Sequence, residues 1–115
     1  MKRPLNLPQD WPQLARDVNY SVSELSKRLA RKYKAVYRVT QQKVGMSPKQ
    51  LLLFRCMCDA GEALASGTQV KQIFDQFGFS DSAHFSRAFT RIWKMSPREF
   101  QRISANVRLS ETGNS

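Results

Sequence analysis

A short run of residues occurs twice in this chain of 115 residues, and that repetition narrows the possible folds more than any other feature. Gly45-Met46-Ser47-Pro48-Lys49-Gln50-Leu51 is echoed by Lys94-Met95-Ser96-Pro97-Arg98-Glu99-Phe100. A serine followed by a proline is a helix start, with the serine as N-cap and the proline in the first turn. Each copy follows a segment with helical apolar spacing, so a unit of helix, turn, helix and Met-Ser-Pro-headed helix is expected twice. Strand signals are nearly absent and Leu, Ala, Lys, Arg and Gln are common. The expected fold is therefore all-α, with about seven helices.

The clearer copy of the unit runs from Val70 to Trp93. Val70, Ile73, Phe74 and Phe77 recur at helical spacing, and so do Phe85, Ala88, Phe89, Ile92 and Trp93. Between them Gly78 tolerates the left-handed backbone that ends a helix, and Asp81 or Ser80 can accept bonds from the free amides that begin the next. Two short helices joined by a turn of about four residues form a helix-turn-helix, the unit that lays its second helix in a DNA major groove. The outward face of that second helix would carry Ser82, Ala83, His84, Ser86, Arg87 and Arg91. Phe79, Phe85, Phe89 and Trp93 are expected in the core rather than as stacking platforms.

The rest of the chain arranges itself around this unit. Residues 1–10 hold Pro4 and Pro8 without periodicity and are expected to be an irregular lead. Asp10 with Pro12 starts a helix whose stripe is Leu14, Ala15 and Val18. Ser21 with Glu24 reads as a capping box. Val22, Leu25, Leu29 and Ala30 follow it as an apolar face, with Lys27, Arg28 and Arg31 opposite. A third helix should run to about Lys43, burying Val36, Val39 and Val44 and presenting Lys34, Tyr37, Arg38 and Gln41. These elements compose a first helix-turn-helix subdomain over residues 11–47. Residues 48–66 read as a linker helix, apolar on nearly all sides and so covered on more than one face. At about 1.5 Å per residue it spans roughly 28 Å, near the ~34 Å repeat of grooves on one DNA face. The second subdomain occupies residues 67–103, and residues 104–115 are expected to be a flexible tail.

The charge points to a polyanion. The net charge is +10. Twelve Lys/Arg stand against three acids up to Met57, and seven stand against six thereafter. From Lys27 to Lys43 there are seven basic residues and no acid. Such a field suits DNA, RNA or an acidic membrane surface, although a solvated face would also be basic. No run approaches the ~20 apolar residues of a membrane span, and Met1-Lys2-Arg3 leads into prolines rather than a signal-peptide core. Cys56 and Cys58 point to nearly opposite sides of a helix, so they neither bridge each other nor close a metal site, and free thiols fit a cytoplasmic setting. The lone His84 has no partners at metal-ligand spacing. With no nucleophile–base pair, carboxylate pair or phosphate-cradling glycine loop, neither an enzyme nor a cofactor is expected. Two other classes remain open on charge and helix content: a basic RNA-binding or nucleoid-packing protein, and a helical adaptor.

From Ser21 to Arg102 the sequence resembles the AraC/XylS family of bacterial transcription regulators. The resemblance is carried by Gly78-Phe79-Ser80-Asp81, by His84-Phe85-Ser86-Arg87-Ala88-Phe89 and by Met95-Ser96-Pro97. It implies two tandem helix-turn-helix subdomains on a linker helix, binding an asymmetric site in double-stranded promoter DNA from one side. It also implies activation through RNA polymerase. Transferred position by position, the base readers fall at Lys34, Tyr37 and Arg38 in the first unit and at Ser82, Ala83 and Arg87 in the second. Arg38 and Arg87 are the residue type that forks onto guanine O6 and N7. The expected backbone contacts are Lys27, Arg28, Lys32, Gln41, Lys49, Ser80, His84, Ser86 and Arg91. The isolated domain is expected to be monomeric. If residues normally precede Met1, a sensing and dimerising domain is expected there. The sequence departs from the family pattern at Lys32 (cap serine), Thr40 (core aromatic), Cys56 (arginine), Phe74 (alanine) and Lys94 (cap glycine).

Overall fold

The computed structural model describes residues 10–113, and the lead expected over residues 1–9 lies outside them. Among the described residues there are seven helices and no strand: α1 (Trp11–Asp17), α2 (Val22–Leu29), α3 (Tyr33–Val44), α4 (Pro48–Ala65), α5 (Val70–Gln76), α6 (Ser82–Trp93) and α7 (Pro97–Gly113). The chain divides into two compact units, and the division falls inside α4, between Cys56 and Met57.

In the first unit α2 packs on α3. Their core is Ala15, Val18, Leu25, Val36 and Leu52, ringed by Trp11, Leu14, Tyr20, Val22 and Leu29. The apolar stripes expected for α1 and α2 are thus the ones that close on each other, and burial of this kind is the main force holding so small a unit together. Two residues expected in the core are not there. Val44, in the last turn of α3, is 45% exposed, while Thr40 one turn earlier is fully buried. The Thr40 hydroxyl donates to the Tyr37 carbonyl at 3.1 Å, which satisfies it without a tertiary partner. Ala30 ends α2 in the left-handed conformation (φ 52) and is exposed, so it terminates the apolar face rather than extending it.

In the second unit α6 packs on both α5 and α7. Ile73, Phe85 and Phe89 are fully buried, as are Met57, Ala60 and Leu64 from α4. An aromatic chain runs through this core: Phe79 meets Phe85 edge-on, Phe85 contacts Phe89, and Phe89 and Phe100 both contact Trp93 at ring-centroid distances of 5.9 and 4.7 Å. Trp93 is half-buried, and its indole N–H donates to the Met57 carbonyl at 3.0 Å. Gly61 is the small residue that lets these rings approach α4. A Cβ there would stand 3.0 Å from Trp93 and 3.2 Å from Phe100. The Gln101 amide donates to the Leu64 and Thr68 carbonyls at 2.9 and 2.7 Å, tying α7 to the end of α4.

On α4, Leu51, Leu52, Cys56, Met57, Ala60 and Leu64 are buried, on more than one face, while Phe54 is exposed. One expectation about α7 needs correction. The flexible tail expected from Ser104 is helical to Gly113. No Pro or Gly interrupts the sequence between Pro97 and Gly113, so nothing local breaks the i→i−4 ladder once α7 is nucleated on its docked first turns.

Candidate nucleic-acid interface

The first helix-turn-helix is built by local hydrogen bonds. Ser21 caps α2 by accepting from the Glu24 amide at 3.2 Å. Glu24 does not complete the box, because its carboxylate pairs instead with Lys27 at 3.3 Å on the exposed surface. At the other end, Ala30 and Arg31 donate their amides back to the Lys27 and Ser26 carbonyls, the Schellman closure that turns the chain sharply. Lys32 then caps α3 in extended backbone with no side-chain bond. Along α3, Lys34, Tyr37, Arg38 and Gln41 are all exposed and share one open depression with Tyr33 and Gln42. Lys27 and Arg28 lie on a separate depression with Asp17, Val18, Asn19, Ser21 and Glu24. Lys49 is exposed at the second position of α4.

The second unit repeats this construction with different residues. Gly78 (φ 82) and Phe79 close α5 with the same pair of bonds, onto the Asp75 and Phe74 carbonyls. Five residues separate its two helices, against three in the first unit, and Asp81 caps α6 by accepting from the His84 amide at 2.7 Å. Ser82, Ala83, His84, Arg87 and Arg91 are exposed on α6, and Ser80 is exposed in the turn. Ser86 is half-buried. The His84 ring stands edge-on to Phe79 with centroids 5.0 Å apart, so its orientation is set by the turn.

The two second helices correspond closely. Each has 12 residues, and neither contains an acid. Arg38 is the sixth residue of α3 and Arg87 the sixth of α6. Each helix ends in a left-handed residue, Gly45 (φ 70) or Lys94 (φ 61), whose amide bonds back four residues to Gln41 or Thr90. Each is followed by a serine cap: Ser47 accepts from the Gln50 amide and Ser96 from the Glu99 amide. The repeat seen in the sequence is thus a repeat of backbone geometry.

The family described as "Helix-turn-helix domain" matches residues 14–103, which include every helix from α2 to α6 and the first turns of α7. The HTH-type transcriptional activator RhaS of Yersinia pestis (strain Pestoides F) is 34% identical over 97 residues, covering 80% of this chain. The chain belongs to the AraC/XylS family. The RhaS activator of Yersinia pseudotuberculosis (serotype O:1b, strain IP 31758) gives the same identity and coverage. This AraC/XylS chain spans about a third (34%) of the length of those relatives. No solved structure matches it.

As a member of this family the chain carries a helix-turn-helix domain. Two sets of exposed residues near its second helices are absent from the expected contacts. Tyr33, the first residue of α3, is 49% exposed beside Tyr37. Lys71, Arg98 and Arg102 line one depression with Gln69, Val70, Gln101 and Ala105. Arg98 was legible in the sequence as the repeat partner of Lys49, whereas Tyr33 sits at a helix start that the charge pattern alone does not single out. Among the described residues no group of His, Cys, Asp and Glu is placed to hold a metal ion, and no helix is long and apolar enough to cross a membrane. Cys56 is buried, Cys58 is half-buried, and neither forms a disulfide.

Proposed function

We propose that this chain binds double-stranded promoter DNA sequence-specifically, with α3 and α6 in adjacent major grooves, and activates transcription through contact with RNA polymerase. The observation that carries the reading is the pair of matched, acid-free second helices, each exposing an arginine at its sixth position. In this reading Arg38 and Arg87 fork onto guanines, while Lys34, Tyr37, Ser82 and Ala83 face the neighbouring base edges. Lys27, Arg28, Lys32, Gln41, Lys49, Ser80, His84, Ser86 and Arg91 hold phosphates and fix register. The two helices differ in sequence, so a monomer would read an asymmetric site. Activation is suggested by the relatives, which are named transcriptional activators.

Selection of bound duplexes from random sequence tests the binding half. One recovered site that survives a large excess of unrelated DNA is the expected result. The concentration of charge in the first unit favours a second reading, a packing protein that grips phosphates without reading bases. Such a protein would yield no enriched sequence and would lose its DNA in proportion to competitor length. For activation, transcription from a promoter carrying the selected site, with purified RNA polymerase, should rise when the chain is added. An unchanged rate would leave a binder without the activating contact.

A further inference from the structure

α3 carries an apolar feature on an otherwise basic surface. Its exposed side carries two adjacent stripes. Lys34, Arg38 and Gln42 form a polar and basic one, and Tyr33, Tyr37 and Gln41 form the other, each spaced by one helical turn. The tyrosine rings are 49% and 41% exposed, with centroids 6.0 Å apart and planes tilted by 46°. Together they make the depression on this face chiefly apolar, in a segment with seven basic residues and no acid. A lone exposed aromatic needs no explanation, but two rings held against each other form a patch that water does not favour.

From this we infer that Tyr33 and Tyr37 act as one unit that reads thymine through its C5-methyl group, giving the first recognition helix a preference for thymine beside the base faced by Arg38. The major groove offers one apolar group, the thymine methyl, and an apolar side chain placed there discriminates by covering it. Both rings lie in the N-terminal half of α3, the half that meets base edges when a recognition helix enters the groove. Mutual contact limits the freedom of each ring, so less is lost on docking than for an isolated tyrosine. The second unit has no counterpart, since Ser82 and Ser86 occupy the first and fifth positions of α6. Thymine reading by a pair of aromatic rings therefore belongs to the part of the site under α3 alone. The inference rests on the DNA-reading role of α3 proposed above and extends it to a residue, Tyr33, and a base.

The test uses the full chain and its selected site, with each thymine replaced singly by deoxyuridine, which keeps the pairing and removes only the methyl. In the half of the site under α3, one or two thymines should each lose about fourfold in affinity, the effect of uncovering one methyl group. In the double variant Tyr33→Ala/Tyr37→Ala, thymine and uracil should bind alike at those positions. Tyr33→Phe/Tyr37→Phe should keep the discrimination, because the ring and not the hydroxyl carries it. Circular dichroism of both variants should match the parent, since the rings are exposed. A site with no methyl-sensitive thymine overturns the inference and leaves sequence-specific binding standing. So does discrimination that survives the double alanine variant, or that is lost with phenylalanine, which would assign the hydroxyls to phosphates. Failure to select any site overturns both.

Discussion

Lys94 holds a left-handed backbone (φ 61) that its repeat counterpart Gly45 adopts without strain. A side chain with a Cβ pays for that conformation in steric repulsion of about 1–2 kcal/mol, part of which the lower backbone entropy of the unfolded non-glycine chain offsets. Lys94→Gly should therefore stabilise the protein by about 1 kcal/mol, read as a higher urea midpoint at unchanged slope. In the proposed function Arg87 has the sharpest consequence. It is exposed at the sixth position of α6, on a helix without acids to neutralise it. Arg87→Ala should cost ~1–3 kcal/mol on the selected site and relax one base position. Equal loss on random and selected DNA would reduce Arg87 to a phosphate contact.

At the scale of the element, what matters is how each helix starts and how closely it approaches its neighbour. Asp81 accepts the His84 amide at 2.7 Å, and Lys32, its counterpart, makes no such bond. Removing the cap with Asp81→Ala should lower stability by about 1 kcal/mol, whereas Asp81→Asn, which keeps an acceptor, should be nearly neutral. Thermal unfolding of the pair distinguishes a cap from a DNA contact, because only the cap moves the midpoint without DNA. Gly61 sets the approach of α4 to the aromatic core. A β-branched side chain has no room beside Trp93 and Phe100, the first of which is held by its bond to Met57. Gly61→Val should destabilise by about 2–3 kcal/mol, and its near-ultraviolet signal should report disturbed tryptophan packing.

For the whole molecule, the proposed function makes the uneven charge the part that meets DNA before any base is read. The charge is +10, and most of the excess lies in the first 57 residues. Lys27 illustrates the role. Its ion pair with Glu24 lies in water, where such pairs contribute little, so exchanging the carboxylate for a phosphate is easy. Lys27→Ala should weaken all duplexes alike and reduce the slope of log affinity against log salt by about one. A loss confined to the selected site would contradict this and make Lys27 a reader.

The local punctuation of the chain was legible from residue types alone. Ser21, Gly45, Ser47 with Pro48, Gly78 and Asp81 start and stop helices where the sequence places them, because caps and left-handed turns depend on a few neighbouring residues. The repeat and the acid-free second helices were legible for the same reason, and with them the family. Tertiary packing decided what periodicity cannot reach. Val44 and Thr40 are both compatible with the inner side of α3, and only the neighbouring surfaces determine that the threonine is covered and the valine is not. The left-handed Ala30 looks like an ordinary helix residue until chain closure demands a sharp turn from it, whereas Lys94 was marked as a cap position by its repeat counterpart Gly45. The tie from Gln101 to α4 and the approach of two rings to Gly61 are likewise settled by contacts between residues distant in sequence. Single-residue chemistry thus specified where most helices begin and end, and the close packing of facing surfaces specified which of their residues are left exposed.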